Sequence, residues 1–512
     1  MSAELYDGVR EIARQRSEVC AIQDVDGTPV GYGELIVLAD RLAGALDARG
    51  VRAGDAVAFA LPNSACYVAL ILAVARLRAR YVPLMRDFSE EESARAVRQA
   101  EPVLLVAERP HHVPEGSLPV VGLDELCRAD AGRRLAQGDA PGSMTVDAPG
   151  SGTAASASSA SQESERTAVF RLLWTSGSTG FPKMMAWRQD KFVTERRRWL
   201  ADTGMTAADV YYCRHPLDVA HATDLHVFAA LLSGARLVLA DPEAPPAAHL
   251  ARLAAERVTV MSALPAHYTQ LIATARAHGR VDLSALRRPL CGGAYLGPAT
   301  VREADDVLGI RIRQIYGSTE FGLALGNMAD EVQTRLAMTA VREVGARIEP
   351  LTEQSSETGE LVLRSDCTSE GYPHVPGAQA RTFRDGEFWT GDVAERLPGG
   401  AFRILGRVDE ALAGPKGPVL APAVDAEIAE ACPGTEAATL PVEPGAYLNR
   451  VVLALCPGPE ADPETVLKAA RDVLAEHGLD ATMHLVDAIP HTPVGKIDKP
   501  QLRARFALAG AR

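Results

Sequence analysis

Apolar and polar residues follow two alternating periods along the first part of the chain. Residues 32–49 carry apolar side chains at helical spacing and are closed by Gly50, whereas residues 56–61 form an unbroken apolar run typical of a buried strand. Residues 64–78 again have helical spacing, and residues 80–84 form a short β-like run. Alternation of this kind predicts an α/β fold with layered, largely parallel sheets.

The pattern changes further along the chain. Residues 210–241 combine a helix-like with a strand-like segment, so the α/β pattern continues. From Gly359 the apolar runs become short and β-like, and an α+β unit with a helix near residues 463–478 follows them. We therefore predict a large domain over residues 1–408, made of layered α/β subdomains with a small β-rich piece, and a small α+β domain over residues 409–512.

One segment interrupts the α/β pattern. Residues 139–166 are rich in Ser, Ala and Gly and have almost no large apolar side chains. Such a segment buries too little surface to offset the entropy of ordering it, so we predict a disordered surface loop. A tolerated insertion is favoured over a functional lid.

Composition and charge exclude several classes of protein. Lys plus Arg number 53 and Asp plus Glu 66, giving a net charge of −13 that disfavours nucleic-acid binding. The apolar runs are shorter than a membrane span, and the first residues lack a signal pattern, so we expect a cytoplasmic protein without a membrane partner. The 8 cysteines are scattered without metal or redox spacing, which favours buried thiols in a reducing compartment.

The densest candidate chemistry follows the apolar run that ends at Trp174. There the chain concentrates hydroxyls and glycines and then places a lysine, in the order Thr175, Ser176, Gly177, Ser178, Thr179, Gly180 and Lys183. Glycines let a backbone approach an anion, amides and hydroxyls donate to its oxygens, and lysine adds charge, so this loop predicts a phosphate cradle. The spacing is not that of the Walker motif.

This loop and four later motifs resemble the adenylate-forming enzymes, which comprise acyl-CoA synthetases, adenylation domains of nonribosomal peptide synthetases, and luciferases of the firefly type. The four motifs are YGSTE at residues 316–320, TGD at 390–392, GRVD at 406–409 and PHTPVGK at 490–496. The resemblance covers nearly the whole chain. It implies a large domain that binds ATP and acid, and a small domain that swings during the cycle.

The resemblance assigns roles to residues around the nucleotide. The loop would hold the β- and γ-phosphates, Thr319 would lie beside them, and Glu320 would hold Mg²⁺, a cation that prefers oxygen ligands. Asp392 would accept hydrogen bonds from the ribose hydroxyls, with Arg407 near the ribose or phosphates. The adenine would lie between the Tyr316–Gly317 segment and the Gly292–Gly293–Ala294 turn. ATP and Mg²⁺ are thus the implied cofactors.

Lys496 is the residue that the resemblance implies for catalysis. Its ammonium would bridge the acid carboxylate and the α-phosphate, a suitable task for a compact charge that must hold two oxygens together.

The acid pocket is implied near residues 215–224 and the Gly-Gly turn. His221, Asp224 and Tyr295 are the candidate substrate contacts, while His215 and His226 are equally typical of structural histidines. We align His221 with the Asp that peptide synthetases use to hold an α-ammonium, so a plain α-amino acid is disfavoured.

These residues favour an ATP-dependent ligase that forms an acyl-AMP, releases pyrophosphate and passes the acyl group to a thiol of CoA or of a carrier protein. The segment after Asp409 departs from the family pattern, with shifted spacing and two prolines. The resemblance therefore supports the first step, formation of the acyl-AMP, more strongly than the second, transfer of the acyl group. Two alternatives stay open: activation of nitrite to diazotise an aromatic amine, or amide formation with the same site. A non-catalytic relative is disfavoured because the motif residues are retained together.

Overall fold

The computed structural model describes residues 4–109, 111–126, 169–175, 182–328, 336–351, 356–415, 417–459, 461–491 and 497–508. The predicted loop at 139–166 lies outside these ranges. So do five residues of the predicted phosphate cradle, residues 176–180, and the predicted catalytic Lys496.

Strands form the layers of the molecule. They are β1 Cys20–Gln23, β2 Pro29–Gly31, β3 Ala56–Ala60, β4 Arg80–Pro83, β5 Pro102–Ala107, β6 Val120–Val121, β7 Val169–Thr175, β8 Lys183–Arg188, β9 Val210–Cys213, β10 Arg236–Leu239, β11 Val260–Ala263, β12 Arg288–Cys291, β13 Arg313–Ser318, β14 Gly322–Gly326, β15 Thr339–Ala340, β16 Gly345–Pro350, β17 Thr358–Arg364, β18 Phe383–Arg384, β19 Glu387–Arg396, β20 Phe402–Arg407, β21 Ala411–Gly414, β22 Gly417–Leu420, β23 Glu436–Pro441, β24 Arg450–Cys456 and β25 Asp480–Leu485.

Helices cover these layers. They are α1 Leu5–Gln15, α2 Tyr32–Ala48, α3 Ala65–Arg76, α4 Glu90–Ala100, α5 Gln189–Thr203, α6 Ala220–Ala222, α7 Phe228–Ser233, α8 Pro246–Ala255, α9 Pro265–His278, α10 Pro298–Glu303, α11 Pro376–Thr382, α12 Ala421–Ala431, α13 Pro463–Glu476 and α14 Lys499–Arg505. π-helices lie at Thr223–Val227 and Ala304–Leu308, and a 3₁₀ turn lies at Val408–Glu410.

Two sheets carry the α/β part, as the alternating pattern predicts. One has six strands in the order β6-β5-β3-β4-β7-β8, and its pairs are parallel except β7 with β8. The other has nine strands in the order β15-β14-β13-β12-β11-β9-β10-β1-β2, and the six from β13 to β1 pair in parallel. Because parallel strands are covered on both faces, they are continuous apolar runs, and every residue of β3 is buried.

The predicted helices and strands near the N-terminus are confirmed. The structure places α2, β3, α3 and β4 within two residues of the bounds expected from sequence. Helix α3 begins where it does because the Ser64 side chain accepts a hydrogen bond from the Tyr67 amide. The helix expected within residues 210–241 is partly a π-helix, Thr223–Val227, a form that often accompanies functional sites.

The β-rich piece is an antiparallel sheet. Its order is β16-β17-β19-β18, with β20 paired to the other edge of β19. In the register of β19 and β20, Asp392 lies opposite Arg407. Two sequence motifs 15 residues apart thus become neighbours through strand pairing.

The C-terminal part has its own small sheet and its own apolar clusters. Strands β23, β24 and β25 form the sheet, and α12 and α13 cover one face through residues such as Val424, Ile428 and Leu474. A third cluster, Val393, Ala411 and Leu420, links this part to the β-rich sheet. The division at residues 408/409 stays a prediction. Within the described ranges, none of the helices combines the length and apolar character that a bilayer crossing requires.

Candidate active site

The ends of two antiparallel strands define the base of the predicted phosphate cradle. Thr175 is the last residue of β7 and Lys183 the first of β8, and the two are direct partners in the register. Thr175 is buried, whereas Lys183 is half-buried. The cradle residues 176–180 between them lie outside the described residues, so their predicted contacts stay predictions.

Tyr372 connects the lysine of this cradle to the candidate magnesium ligand. Its hydroxyl donates to Glu320 Oε1 at 2.5 Å, and Lys183 Nζ lies 5.3 Å from its ring centroid. Burial, and then the Glu320 carboxylate, raise the pKa of the Tyr372 hydroxyl, which therefore remains a donor. Beside Glu320, the Thr319 carbonyl accepts a hydrogen bond from Trp187 Nε1, which fixes the backbone of this motif. Sequence reasoning missed Tyr372.

Asp392 lies at the centre of a second polar group. Tyr316 Oη donates to its Oδ2 at 2.5 Å, and Arg407 Nη1 donates to its Oδ1 at 3.0 Å. Burial raises the pKa of Asp392, and the Arg407 guanidinium opposes that rise. Gly391 has φ +69°, and a Cβ there would lie 2.8 Å from Arg407 Nη2, so glycine is required for Arg407 to reach the carboxylate. The structure brings these three predicted nucleotide residues together.

The parallel strands of the nine-stranded sheet place further candidates at one edge. Strands β9, β11, β12 and β13 end at Cys213, Ala263, Cys291 and Ser318, and the residues after them meet at the same edge because the strands are parallel. Gly293 and Ala294 are exposed there. Gly293 has φ +80°, and a Cβ would lie 2.9 Å from Leu264. A side chain at residue 293 would thus take up space at this sheet edge, beside Leu264.

Tyr295 and Asp224, two of the predicted substrate contacts, already have protein neighbours in the structure. Tyr295 is half-buried, and the charges that act on its hydroxyl belong to Arg403, Glu427 and Glu430, on β20 and α12. The Asp224 carboxylate receives two hydrogen bonds from Arg171, at 2.6 and 2.8 Å. A substrate contact by either residue stays a prediction.

The Arg171–Asp224 pair is buried. Arg171 is fully inaccessible, and its guanidinium stacks 4.0 Å from the Phe192 ring centroid. Since Arg171 belongs to β7 and Asp224 to the first π-helix, the pair ties the strand before the phosphate cradle to the segment that carries His221. A bidentate pair of this kind fixes orientation as well as charge.

His221 belongs to a cluster of four histidines. Its ring centroid lies 4.3 Å from that of His215 and 5.9 Å from that of His226, and the His215–His267 distance is 5.0 Å. Ser262 connects three of them: its hydroxyl lies 3.0 Å from His221 Nε2, and its carbonyl oxygen lies 3.1 Å from both His215 Nε2 and His226 Nε2.

Burial keeps three histidines of this cluster, His215, His226 and His267, uncharged. It lowers the pKa of His226 to about 4 and that of His267 to about 3, and it lowers the pKa of His215 far below its usual value. His215 and His226 are buried, as the structural alternative for them expects, whereas His221 is half-buried. No cluster of three or more His, Cys, Asp or Glu within the described ranges could hold a metal ion.

The structure thus brings Tyr316, Asp392 and Arg407 into one polar group and links Glu320 to Lys183 through Tyr372. A family model described as "AMP-binding enzyme" matches residues 9–373. The chain belongs to this AMP-binding enzyme family. It is an AMP-forming acid ligase that uses ATP.

Relatives and solved structures agree with this membership. The chain is 29% identical to a feruloyl-CoA synthase from Amycolatopsis sp. over 94% of each chain. It is 27% identical to a 2-hydroxy-7-methoxy-5-methyl-1-naphthoate–CoA ligase from Streptomyces carzinostaticus, over 96% of this chain and 91% of the relative. Among solved structures, ATP-bound MatB from Rhodopseudomonas palustris superposes with a TM-score of 0.80 at 24% identity, over 99% of each chain, which shows a shared fold.

Proposed function

We propose that this ligase activates an aryl or other non-α-amino carboxylic acid and passes the acyl group to a thiol, of CoA or of a carrier protein. One observation carries the choice of acid. Asp224, a carboxylate of the implied acid pocket, has both oxygens engaged by Arg171. A substrate ammonium would have to compete with a buried guanidinium for that carboxylate, which is unfavourable.

Different residues of the site would bind the ribose, the phosphates and the adenine of ATP. Asp392 would accept the ribose hydroxyls, since each carboxylate oxygen can accept more than the one hydrogen bond it receives from Tyr316 or Arg407. Lys183 and the cradle residues would hold the β- and γ-phosphates, with Thr319 close by. The adenine would lie between the Tyr316–Gly317 segment and the Gly293–Ala294 turn.

The donor set at Glu320 fits a magnesium ion. Tyr372 holds Oε1, and among the described residues no group donates to Oε2, which suits a hard cation. When bound, Mg²⁺ would offset phosphate charge as pyrophosphate leaves. Tyr372 would keep the carboxylate oriented.

The first step joins the acid to AMP. A carboxylate oxygen attacks the α-phosphorus, and the bond to the oxygen bridging the α- and β-phosphates breaks, so pyrophosphate leaves with the electron pair. Two anions must approach each other, and Lys496 would hold both during that approach. In the second step a thiolate attacks the carbonyl carbon and AMP leaves.

The curated relatives support an aromatic acid, because one is named as a feruloyl-CoA synthase and the other as a naphthoate–CoA ligase. Pyrophosphate release tests the proposal with matched pairs: 3-phenylpropanoate against phenylalanine, and phenylacetate against phenylglycine. We expect release only with the acid that lacks the α-ammonium, and a thioester when CoA or a carrier protein is added.

Preference for the amino acids would contradict the proposed substrate class. Pyrophosphate release with nitrite and an aminoaryl acid, but with no acid alone, would favour the diazotising alternative instead.

A further inference from the structure

Arg214, which follows β9 at the edge where the acid pocket is implied, is buried and has no partner among the residues that the structure describes. Its exposed fraction is 6%, and its Nη1 is inaccessible to solvent. Within the described ranges, its guanidinium makes no hydrogen bond and no ion pair. Burial lowers the pKa of Arg214, and only the Tyr212 hydroxyl opposes that effect.

Other buried arginines of the large α/β part do have partners. Arg171 pairs with Asp224 and Arg196 with Glu195, and the partly buried Arg109 pairs with Asp218. A buried charge without an opposite charge or hydrogen bonds is unfavourable, because burial removes its hydration and nothing replaces it. Arg214 therefore lacks the anion that its environment requires.

Histidines affected by the Arg214 charge surround it, and among the described residues no carboxylate pairs with it. The Arg214 charge is among the causes that lower the pKa values of His215, His249 and His267, after burial. The buried Nδ1 of His267 also has no hydrogen-bond partner in the described part of the chain. His267 lies in the first turn of the 14-residue α9, whose N-terminal end carries a partial positive charge.

A row of imidazole rings connects the implied nucleotide side to Arg214. A Cβ at residue 293 would lie 3.8 Å from His221 Nδ1, so His221 borders the Gly293 turn. From there the ring centroids continue to His215 at 4.3 Å and to His267 at 5.0 Å. The row thus runs from the Gly293 turn to His267, one of the residues whose pKa the Arg214 charge lowers.

We propose that Arg214 and His267 bind a second anionic group of the acid, so that the substrate is a dicarboxylic acid whose far carboxylate meets this guanidinium. This inference rests on the proposed function and narrows its substrate class. A planar guanidinium matches carboxylate geometry with two parallel hydrogen bonds, and the His267 imidazole can donate a third. The neutral imidazoles between would line the acid without competing charge.

The test compares acids that differ only in the far group. Pyrophosphate release is measured for isophthalate against its monomethyl ester, and for succinate against its monomethyl ester. In the wild type we expect kcat/KM to favour a free dicarboxylate at least tenfold. In Arg214→Met that preference should disappear, and in Arg214→Lys part of it should remain.

Arg236→Met is the matched control. Arg236 lies on the neighbouring strand β10 and pairs with Glu256, away from the histidine cluster, so this variant should keep the preference. Arg214→Met should be at least as heat-stable as the wild type, because no native partner is lost. Isophthalate alone should raise the Tm of the wild type and not that of Arg214→Met.

The outcomes separate the two proposals. If the monoesters are activated as well as or better than the dicarboxylates, the Arg214 assignment is wrong and the ligase function stands. A large loss of Tm in Arg214→Met, with the full wild-type preference retained in both Arg214→Lys and His267→Ala, would make Arg214 structural. If no acid of either kind yields pyrophosphate, the proposed function fails and this inference fails with it.

Discussion

Asp392 shows how a single carboxylate acquires its predicted role from its neighbours. Tyr316 and Arg407 each donate to a different oxygen, which fixes the plane of the carboxylate. The Arg407 guanidinium opposes the rise in the pKa of Asp392 that burial causes. Oriented in this way, the carboxylate has acceptor positions left for two vicinal hydroxyls.

Asp392→Asn should therefore weaken ATP binding. An amide presents one acceptor oxygen instead of two and removes the Asp392 charge from Arg407, whose other acidic neighbour, Asp409, lies 3.9 Å away. We therefore expect Kd for ATP to rise about tenfold, the scale of one lost charged hydrogen bond. Isothermal titration calorimetry checks this. Glu395→Gln, on the same strand and paired with Arg403 on the surface, is the control. Equal ATP affinity in Asp392→Asn and the control would contradict the ribose role.

Tyr372→Phe probes the magnesium site through a neighbour of the predicted ligand. The change removes the hydroxyl that holds Glu320 Oε1 while keeping the ring beside Lys183. We expect the Mg²⁺ concentration for half-maximal pyrophosphate release to rise several-fold, with less effect on KM for the acid. A merely structural role would lower the rate without shifting the Mg²⁺ dependence. Tyr447→Phe, in the C-terminal part, is the control.

Elements are joined in this molecule by buried charges as well as by apolar packing. The Arg171–Asp224 pair joins β7 to the π-helix, and the Glu195–Arg196 pair lies close by on α5. Arg196 Nη1 also donates to the Asp224 carbonyl, so both pairs stabilise the π-helix that contains Asp224. Because each charge is buried, the loss of one partner leaves the other uncompensated.

Arg171→Met should thus be strongly destabilising. We expect a loss of about 3–5 kcal/mol in the free energy of unfolding, the usual effect of breaking a buried pair. The double variant Arg171→Met/Asp224→Leu should recover much of that loss, because no unpaired charge remains. Chemical denaturation of both variants is the measurement. Additive losses in the double variant would show that the ion pair is not the cause.

Asp425 on α12 makes the stability of the C-terminal part depend on pH. Burial raises its pKa to about 7, while Lys499 and the Thr439 hydrogen bonds oppose that rise. Between the unfolded value of about 4 and the folded value, the folded protein holds a proton that the unfolded chain has lost. This group therefore makes the folded state less stable as pH rises through that window.

Asp425→Asn should remove this dependence. The stability of the variant relative to the wild type should increase as pH is raised from about 5 to about 8, because only the wild type has to ionise a buried carboxyl. Differential scanning calorimetry at both pH values provides the comparison. A constant difference across that range would show that Asp425 does not titrate there.

At the scale of the whole molecule, the proposed reaction depends on two parts that lie far apart in sequence. The cradle, Asp392 and Glu320 belong to the large part, whereas the lysine expected to act on the α-phosphate is Lys496, near the C-terminus. We propose that residues 409–512 swing between two positions to make and then release that contact.

Lys496→Ala should abolish acyl-AMP formation and leave ATP binding nearly intact. Its charge is needed when two anions approach each other, and less so when ATP alone binds. Pyrophosphate release and ATP titration on the same sample separate the two effects. Lys468→Ala removes an exposed ammonium from α13 and is the control. Full pyrophosphate release in Lys496→Ala would refute this role.

The sequence by itself determined the elements and the family. Helical spacing in residues 32–49 and the apolar run of β3 specify local structure, because side-chain periodicity decides which face each segment can bury. The family match over residues 9–373 includes the phosphate loop and YGSTE, each of which is a short contiguous set of chemical groups that the sequence shows directly.

Only the tertiary structure decided which distant side chains meet. Tyr372 and Glu320 are 52 residues apart and Arg171 and Asp224 are 53 apart, and neither pair has a sequence signal. The unpaired state of Arg214 is likewise invisible in sequence, because a missing partner can be recognised only when all neighbours are known. Periodicity governs local burial, whereas charge pairing depends on how strands and helices pack, which is why these contacts emerge only from the fold.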